Sequence, residues 1–332
     1  MQTENKGIKI TALSSFLPEG NLSNYEIAKR FNSDPLEIFK KTGVMDRRIT
    51  KPDFLMSDMG FEAAEKLFKI KSQHRDEIDA LILVGHGFDF KAPVTSAILQ
   101  NRLRLKKECF VMDIPQGCTG YIYGLSISKS ILSSGIAKKV LLITADTPSF
   151  VIDKNDEELL SLFGDAATAS IIELGNSFDE KYFFGTDGSG YDLLCVEKSG
   201  TRNPPDIKWL TQTSMLYGKM SMKSTEIFSF AIRTVPGMVN QILEKNSLSI
   251  DQIDLFVFHQ ANSFLLEVLR KKMKIPQEKF INDISETGNT VSSTIPIALL
   301  KAESQGKLKR GMNVLLAGFG LGLSWAGTII KY

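Results

Sequence analysis

Short apolar runs of the kind found in buried strands alternate along this chain with stretches whose apolar positions recur at helical spacing. Three such segments in the first half, strand-like, helical and strand-like, have counterparts of the same kinds in the second half. They lie at 78–84, 94–105 and 109–114, and at 253–258, 263–274 and 279–284. Continuous apolar strands are buried on both faces, and helices between them supply that cover. The pattern therefore predicts an α/β protein.

The repetition continues beyond these segments. A helix opening near residue 118 corresponds to one predicted at 292–303, and two further apolar runs correspond between the halves. These runs lie at 139–143 and 166–172 in the first half, and at 313–317 and 324–330 in the second. We therefore predict two similar α/β halves, residues 1–175 and 176–332, related by a pseudo-twofold axis. The helices near 118 and 292 would be buried symmetry mates at the centre.

Composition excludes several classes of protein. The 332 residues are 43% hydrophobic and 23% charged with a net charge of +2, which is ordinary for a globular protein and indicates no nucleic-acid partner. No apolar run is long enough to insert in a membrane, and the polar segment 1–9 lacks the apolar core of a signal peptide. Three cysteines without framework spacing favour a reducing cytoplasm. The sequence contains neither a CxxC pair nor an HExxH motif, so it indicates no metal site.

Cys118 stands between the apolar run at 109–114 and the predicted helix that follows. The positive end of a helix dipole favours a thiolate, and the thiolate is the reactive form of cysteine. This is therefore a position where a chain would place a cysteine nucleophile. A lone cysteine in a globular protein is more often simply buried, so Cys118 needs support from the rest of the chain.

Two polar segments supply that support. His259 begins the sequence His-Gln-Ala-Asn directly after the apolar run at 253–258. Asn289 lies in a Thr-Gly-Asn-Thr turn after the run at 279–284. Alone, each would be a structural or turn residue. The duplication predicts that both meet Cys118 at the interface of the halves, because sites form at the carboxyl ends of α/β strands. A cysteine with two hydrogen-bond donors suits acyl transfer to sulfur and stabilisation of an enolate or oxyanion.

These segments together resemble the β-ketoacyl-[acyl-carrier-protein] synthase III family of the thiolase superfamily. The resemblance spans about residues 8–332, in the family's order. Its motifs are 113–125 around Cys118, 259–262, 288–290 with Pro296, 42–44 with 47–49, 163–167, and 318–322 with Trp325. Each motif is weak alone, but the combination is highly specific. It implies a thiolase fold, in which duplicated αβαβα halves form a five-layered core, and a homodimer.

The resemblance also implies a reaction. Cys118 would take an acyl group as a thioester, and His259 and Asn289 would donate hydrogen bonds to a malonyl thioester as decarboxylation turns it into an enolate. Attack of that carbanion on the acyl group would give a 3-oxoacyl thioester. The backbone N–H groups of Cys118 and Leu321 would form the oxyanion hole, in which one donor is worth about 3 kcal/mol. The family uses no metal or redox cofactor.

The substrate tunnel departs from the family's pattern at three positions. Glu37 stands where coenzyme A-using members have a Trp that stacks on adenine, and Glu157 stands where they have a phosphate-binding Arg. Carboxylates repel a polyphosphate, so we expect an acyl donor on a carrier protein, or another mode of coenzyme A binding. Ala92 replaces the Phe that closes the acetyl pocket across the dimer, which predicts a longer primer. The tunnel is also expected to include Phe228, Asn262 and Gly320.

The sequence does not decide the partner protein or the acceptor of the acyl group. Lys271 and Lys272 follow the His259 motif on a helix and are candidates for docking an acidic acyl carrier protein, although such a run is usually only a solvated helix face. The leading interpretation is a specialised condensing enzyme of lipid or secondary metabolism. One alternative is an acyltransferase that moves the Cys118 acyl group to an amine or hydroxyl. Another is a non-catalytic partner of a heterodimeric synthase, against which the retention of Cys118, His259 and Asn289 argues.

Overall fold

The computed structural model describes residues 7–71, 75–176, 178–204, 206, 208 and 218–332. Its strands, in chain order, are β1 (Gly7–Phe16), β2 (Gly20–Ser23), β3 (Asp46–Ile49), β4 (Ala80–Val84), β5 (Phe110–Ile114), β6 (Lys139–Asp146), β7 (Ala166–Asn176), β8 (Tyr182–Thr186), β9 (Leu194–Glu197), β10 (Lys219–Met222), β11 (Leu255–Phe258), β12 (Asn313–Gly320) and β13 (Ser324–Lys331). Its α-helices are α1 (Asn24–Phe31), α2 (Pro35–Thr42), α3 (Met56–Lys71), α4 (Thr95–Arg102), α5 (Gly120–Ser133), α6 (Glu157–Leu160), α7 (Ser224–Lys245), α8 (Ser263–Lys272) and α9 (Thr294–Ser304). Within these described ranges, no helix is long and apolar enough to cross a membrane.

Two large sheets repeat one topology. The first sheet has the order β1-β7-β6-β4-β5, and the second sheet has the order β11-β12-β13-β8. In the first sheet β4 runs parallel to β5 and β6, whereas β6 with β7 and β7 with β1 are antiparallel. In the second sheet β11 runs parallel to β12, whereas β12 with β13 and β13 with β8 are antiparallel. Strands β4, β6 and β7 therefore correspond to β11, β12 and β13, and the predicted boundary near 175 falls at the end of β7.

The predicted strand at 279–284 was wrong. Only Phe280 pairs with β11, through a single parallel bridge. The side chain of Gln260 takes the place of a strand ladder here: its amide donates to the carbonyl of Ile281 at 3.3 Å, and its oxygen accepts from the N–H of Asp283 at 2.8 Å. The carbonyl of Ile281 and the N–H of Asp283 thus find hydrogen-bond partners without a fifth strand, although the segment occupies the position that β5 has in the first sheet.

The two central helices lie between the sheets, as the duplication predicts. Helix α5 contributes Tyr121 and Leu125, and α9 contributes Ile295 and Leu299, to a buried cluster that includes strands of both sheets. Helices α3 and α4 pack on the outer face of the first sheet. Helices α7 and α8 pack on the outer face of the second. The result is the five-layered α/β/α/β/α arrangement of a thiolase fold, with its core on both faces of each sheet.

Two helices end earlier than their apolar pattern predicts. Helix α4 stops at Arg102 rather than near 105, and α8 stops at Lys272 rather than at 274. Arg104 and Lys274 have φ angles of 54° and 55°, in the left-handed region, which an α-helix of L-residues does not continue through. The sequence does not show where these two helices end, because neither residue is a glycine or a proline.

Candidate active site

Cys118 lies in the turn between β5 and α5, where the central helix of the first half begins. The residue is buried, with 7% of its surface exposed. The second half approaches it closely: a Cβ at Gly320 would lie 2.8 Å from the Cys118 sulfur, and a Cβ at Gly318 would lie 2.7 Å from the Cys118 carbonyl oxygen. Glycine at both positions therefore leaves room for Cys118, which explains the glycine-rich sequence at 318–322.

The side chain of Cys118 is a neutral thiol near pH 7. Burial raises the pKa of the Cys118 thiol to about 11, although the backbone N–H groups of Leu321 and of Cys118 itself hydrogen-bond toward the sulfur and lower it. The N–H donors at the start of the helix thus act in the direction that the sequence predicts, but removing a charged sulfur from water outweighs them, so the pKa as a whole is raised. The two N–H groups are the pair predicted for the oxyanion hole, and both lie beside the Cys118 sulfur.

His259 directly follows β11, which ends at Phe258. Its backbone N–H donates to the carbonyl of Ala317 at 2.8 Å and so continues the pairing of β11 with β12. The ring lies edge-on to Phe319, with centroids 5.9 Å apart, and its Nδ1 is 2.7 Å from the hydroxyl oxygen of Thr294. Burial lowers the pKa of His259 to about 3, so the imidazole is neutral near pH 7. A neutral ring offers one N–H donor and one lone pair.

Asn289 is held by a turn that packs against the first half. Its backbone N–H donates to the carbonyl of Leu162 at 2.8 Å, and its carbonyl accepts from the N–H of Gly164 at 3.1 Å. The side-chain oxygen accepts from the N–H of Val291 at 3.0 Å, and the amide nitrogen donates to the carbonyl of Ala261 at 3.3 Å. These bonds fix the orientation of the side-chain amide, because its oxygen must face the N–H of Val291. The second amide N–H is the group left for a ligand.

One cavity of about 520 Å³ brings the predicted residues together. Six of them line it: Cys118, Phe228, His259, Asn262, Asn289 and Gly320. Asn262 has a second function, since its side-chain oxygen accepts from the backbone N–H groups of Phe264 and Leu265 and so caps α8. The catalytic candidates thus come from three loops at the interface of the halves, as the duplication predicts.

Four predicted residues are not among those that line this cavity: Ala92, Leu321, Lys271 and Lys272. Ala92 is exposed in the loop between β4 and α4, and its predicted place in a neighbouring subunit's pocket stays a prediction. Lys271 and Lys272 lie on α8 outside the cavity. Nζ of Lys271 is 3.3 Å from the carboxylate of Glu267, and Nζ of Lys272 donates to the carbonyl of Ile232 at 3.1 Å.

The outer part of the cavity is acidic. Its carboxylates are Asp34, Glu37, Glu157 and Glu158. Lys41 is the cation among the lining residues that the structure describes. Glu157 accepts a hydrogen bond from the hydroxyl of Ser33, and Glu158 accepts one from the hydroxyl of Ser224. These two bonds connect α6 to Ser33, which precedes α2, and to Ser224, which begins α7.

Asp146 is a buried residue of the site that the sequence analysis missed. It ends β6 and accepts from the N–H of His86 at 3.0 Å and from the N–H and hydroxyl of Ser292 at 3.1 and 2.5 Å. It therefore joins the loop after β4 to the segment before α9, on either side of the Cys118 turn. Burial raises the pKa of Asp146 to about 7. A polar residue at the carboxyl end of a buried strand is the signal that singled out His259, and it applied here too.

Arg47 supports the turns that carry the site. Its guanidinium is buried and donates to the side chain of Asn24 at 2.7 Å, to the carbonyl of Leu22 at 3.2 Å and to the carbonyl of Ser161. A Cβ at Gly288 would lie 3.2 Å from the Cβ of Arg47. Arg47 thus packs against the turn next to Asn289 while its guanidinium bonds to residues of the first half, which gives a structural role to the motif at 47–49.

Known proteins resemble this chain in sequence and in fold. The family model described as 3-oxoacyl-[acyl-carrier-protein] synthase III matches residues 112–188, and its C-terminal counterpart matches residues 243–332. A β-ketoacyl-[acyl-carrier-protein] synthase III of Clostridium tetani is 34% identical over 334 residues, which cover 99% of this chain and 99% of that protein. This chain belongs to the β-ketoacyl-[acyl-carrier-protein] synthase III family.

Solved structures agree with this membership. A crystal structure of a 3-oxoacyl-(acyl-carrier-protein) synthase III superposes with a TM-score of 0.94 at 35% identity, covering 98% of this chain and 100% of that one. The β-ketoacyl-[acyl-carrier-protein] synthase III of Thermus thermophilus gives 0.87 at 31% identity, covering 97% and 98%. The priming β-ketosynthase of the R1128 polyketide pathway gives 0.88 at 26% identity, covering 98% and 96%. Membership of the β-ketoacyl synthase III family places the chain among the thiolase-fold condensing enzymes, which are transferases of fatty acid biosynthesis.

Proposed function

We propose that this chain is a 3-oxoacyl thioester synthase. Cys118 accepts an acyl group, which is then extended by decarboxylative condensation with a malonyl thioester borne by an acyl carrier protein. The observation that carries the proposal is the shared cavity, into which a thiol, a neutral imidazole and an oriented amide open. The names of relatives such as the Clostridium tetani protein support the same reaction class.

In the first half-reaction the sulfur of Cys118 attacks the carbonyl carbon of an acyl thioester. The thiol must first lose its proton, because its pKa is raised to about 11, and the neutral ring of His259 accepts that proton. The N–H groups of Cys118 and Leu321 stabilise the tetrahedral oxyanion. Collapse breaks the carbon–sulfur bond to the donor, and the departing thiolate takes the proton back from His259. Cys118 is left as a thioester.

In the second half-reaction the malonyl thioester loses carbon dioxide. The electrons of the broken carbon–carbon bond form an enolate, whose oxygen accepts hydrogen bonds from His259 and Asn289. The carbanion attacks the thioester carbonyl on Cys118, and collapse expels the Cys118 thiolate, which takes a proton from water. The products are a 3-oxoacyl thioester, carbon dioxide, the free thiol and the hydroxide left by that water.

Intact-mass measurement with a panel of acyl donors tests the first half-reaction. We expect one acyl adduct on the wild type, none on Cys118→Ala, and an unchanged adduct on Cys195→Ala, which removes a free thiol outside the cavity. Release of labelled carbon dioxide tests the second. It should fall by about 100-fold or more in Asn289→Ala, which deletes a donor. An adduct without carbon dioxide release would instead indicate an acyltransferase, and no adduct with any donor would indicate a non-catalytic partner.

We also propose that the acyl donor is presented by a carrier protein rather than by coenzyme A. Glu37 and Glu157, which replace the stacking Trp and the phosphate-binding Arg of the family's pattern, both line the outer cavity beside Asp34 and Glu158. A phosphopantetheine arm on a carrier keeps its phosphate at the protein surface, whereas coenzyme A brings further phosphates and an adenine to this entrance. Like charges at close range disfavour the nucleotide.

Matched acyl-coenzyme A and acyl-carrier donors test this preference. We expect faster acylation of Cys118 from the carrier, and a gain for coenzyme A alone in the double variant Glu37→Gln with Glu157→Gln. Glu278→Gln is the matched control, since it neutralises an exposed carboxylate that does not line the cavity. Equal acylation of the wild type by both donors would contradict the proposal.

We propose a primer longer than acetyl. Ala92 is smaller than the Phe of acetyl-selective members, and the cavity wall next to Cys118 is apolar, with Leu162, Met222 and Ile227 among its residues. Each methylene buried there is worth about 0.8 kcal/mol, or roughly fourfold in acylation efficiency. Acylation rates across a series of chain lengths should therefore rise beyond acetyl. Ala92→Phe should shift the preference toward short chains, and a strict acetyl preference of the wild type would refute the idea.

The carrier is proposed to dock on α8. The side chain of Lys271 is 69% exposed, and Lys272 lies beside it on the same helix, whose first turn lines the cavity. An acidic carrier would be attracted electrostatically, so binding should weaken with salt. Lys271→Glu with Lys272→Glu should raise the KM for the carrier substrate, whereas Lys309→Glu, an exposed control in the same half, should not. An unchanged KM in the double variant would place docking elsewhere.

A homodimer is proposed through the free edge of the first sheet. Strand β5 ends that sheet, and the neighbouring loop exposes Phe90 and Val94. Two such edges can pair about a twofold axis, which would also bring Ala92 to the partner's pocket. Sedimentation should give a dimer for the wild type and a monomer for Phe90→Asp with Val94→Asp. Ile136→Asp, at another exposed apolar position, is the control, and a monomeric wild type would refute the proposal.

The proposed reaction needs no resident metal or cofactor, because the thiol, the imidazole and the amide supply its chemistry. Within the described part of the chain, no group of three or more His, Cys, Asp or Glu side chains is placed to hold a metal ion. The three cysteines are free, which supports the proposal of a reducing cytoplasmic location. Addition of a chelator should leave both half-reactions unchanged.

A further inference from the structure

The hydroxyl of Thr294 stands between two groups that compete for it. Its oxygen is 2.7 Å from Nδ1 of His259, and it lies 3.1 Å from the carbonyl oxygen of Val291, to which it can donate. Thr294 and His259 are both buried. A hydroxyl has one proton to donate and can also accept, so its rotation decides what Nδ1 does.

Each direction of the hydroxyl corresponds to one tautomer of the neutral ring. When Thr294 donates to the carbonyl of Val291, its oxygen accepts a proton from Nδ1, and Nε2 of His259 carries a lone pair. When Thr294 turns and donates to Nδ1, the proton of the ring must be on Nε2. Burial, which lowers the pKa of His259 to about 3, keeps the ring neutral and therefore restricted to these two forms.

The two proposed half-reactions need different forms, and the inference therefore rests on the proposed function. Acylation requires a lone pair on Nε2 of His259 to take the proton of Cys118. Decarboxylation requires an N–H on Nε2 to stabilise the enolate oxygen. Between them the ring loses a proton from Nδ1 and gains one on Nε2 by exchange with water, without a change in charge.

We propose that Thr294 is a positioning residue, whose hydroxyl stabilises the Nε2–H tautomer of His259 for decarboxylation and turns toward Val291 to allow the other tautomer for acylation. Valine at this position keeps the shape of threonine and removes the hydroxyl. The carbonyl of Val291 is also within hydrogen-bonding reach of the His259 ring, so it remains as an acceptor for Nδ1–H. In Thr294→Val the ring is therefore held with its proton on Nδ1, because the opposite tautomer would leave a buried Nδ1 without a partner.

Separate assays of the partial reactions test this role. In Thr294→Val we expect acylation of Cys118 to stay within about threefold of the wild type, because the lone pair on Nε2 is retained. Malonyl decarboxylation, measured in the Cys118→Ala background so that no acylation intervenes, should fall about 100-fold, the effect of one lost donor. Thr294→Ser keeps the hydroxyl and should restore decarboxylation. Equal losses in both partial reactions, or decarboxylation at the wild-type rate, would overturn the inference.

Imidazole ¹⁵N spectra give a readout that does not depend on activity. The chain has three histidines, so the His259 signals can be assigned by comparison with His259→Asn. We expect the Nδ1–H form to increase in Thr294→Val and the wild-type ratio to return in Thr294→Ser. An unchanged ratio in Thr294→Val would overturn the inference even if the wild type proved inactive. A wild type that is neither acylated nor able to release carbon dioxide would instead contradict the proposed function.

Discussion

Replacing Gly320 with alanine would place a methyl group against the nucleophile. The added Cβ would lie 2.8 Å from the sulfur of Cys118 and 3.0 Å from its Cβ. Ordinary contacts between such atoms are about 3.5–4.0 Å long, so the sulfur or the 318–322 segment must move by about 1 Å. Gly320 also has a φ of 152°, which side chains rarely adopt, so the backbone cannot easily absorb the change.

A displacement of this size affects rate and stability separately. Misplacing a reacting atom by about 1 Å costs about 100-fold in rate, which corresponds to about 3 kcal/mol of activation free energy. Overpacking a buried site costs about 1–3 kcal/mol of the free energy of unfolding. We therefore expect Gly320→Ala to acylate Cys118 about 100-fold more slowly while remaining folded, with a lowered melting temperature.

The time course of acylation by intact mass, together with thermal unfolding, checks this expectation. Gly311→Ala is the matched control, because Gly311 has a φ of 90° but no heavy atom within 4 Å of the position of an added Cβ. It imposes backbone strain without touching Cys118, so it should lose stability and keep the acylation rate. Acylation of Gly320→Ala at the wild-type rate would show that this contact does not position the sulfur.

Three further predictions follow from the geometry of the site. Alkylation of Cys118 by iodoacetamide should keep rising with pH beyond 9, because burial raises the pKa of its thiol to about 11, and a plateau near pH 7 would contradict this. Burial lowers the folded-state pKa of His259 to about 3, whereas the unfolded value is about 6.5. The contribution of the neutral ring to stability is therefore complete above pH 6.5 and is lost as the pH falls from 6.5 toward 3. Denaturant unfolding of His259→Asn should show a shallower loss of stability than the wild type between pH 6 and 4. Leu321→Ala should acylate normally because the donor is a backbone N–H, whereas Leu321→Pro, which deletes it, should lose about 100-fold or more.

The fold was predictable because its signals are local. Each strand of the repeated set is a continuous apolar run, and each helix has its own periodicity, so 78–84 and 253–258 could be matched without any tertiary information. The strand expected at 279–284 failed because its ladder is replaced by the side chain of Gln260, a contact between segments that are distant in sequence. The ends of α4 and α8 were predicted too late, because Arg104 and Lys274, which are neither glycine nor proline, adopt a left-handed φ.

By itself, the sequence determined which groups meet at the site, since Cys118, His259 and Asn289 stand at strand ends and turns that a duplicated α/β topology brings together. Only the tertiary structure decided their chemical state. The pKa of the thiol is raised and the pKa of the imidazole is lowered because surrounding residues from both halves exclude water from them. This burial depends on many residues that are far apart in the sequence, so a short motif cannot indicate it. Asp146 and Thr294 likewise make hydrogen bonds to residues far away along the chain, and only the tertiary structure reveals these contacts.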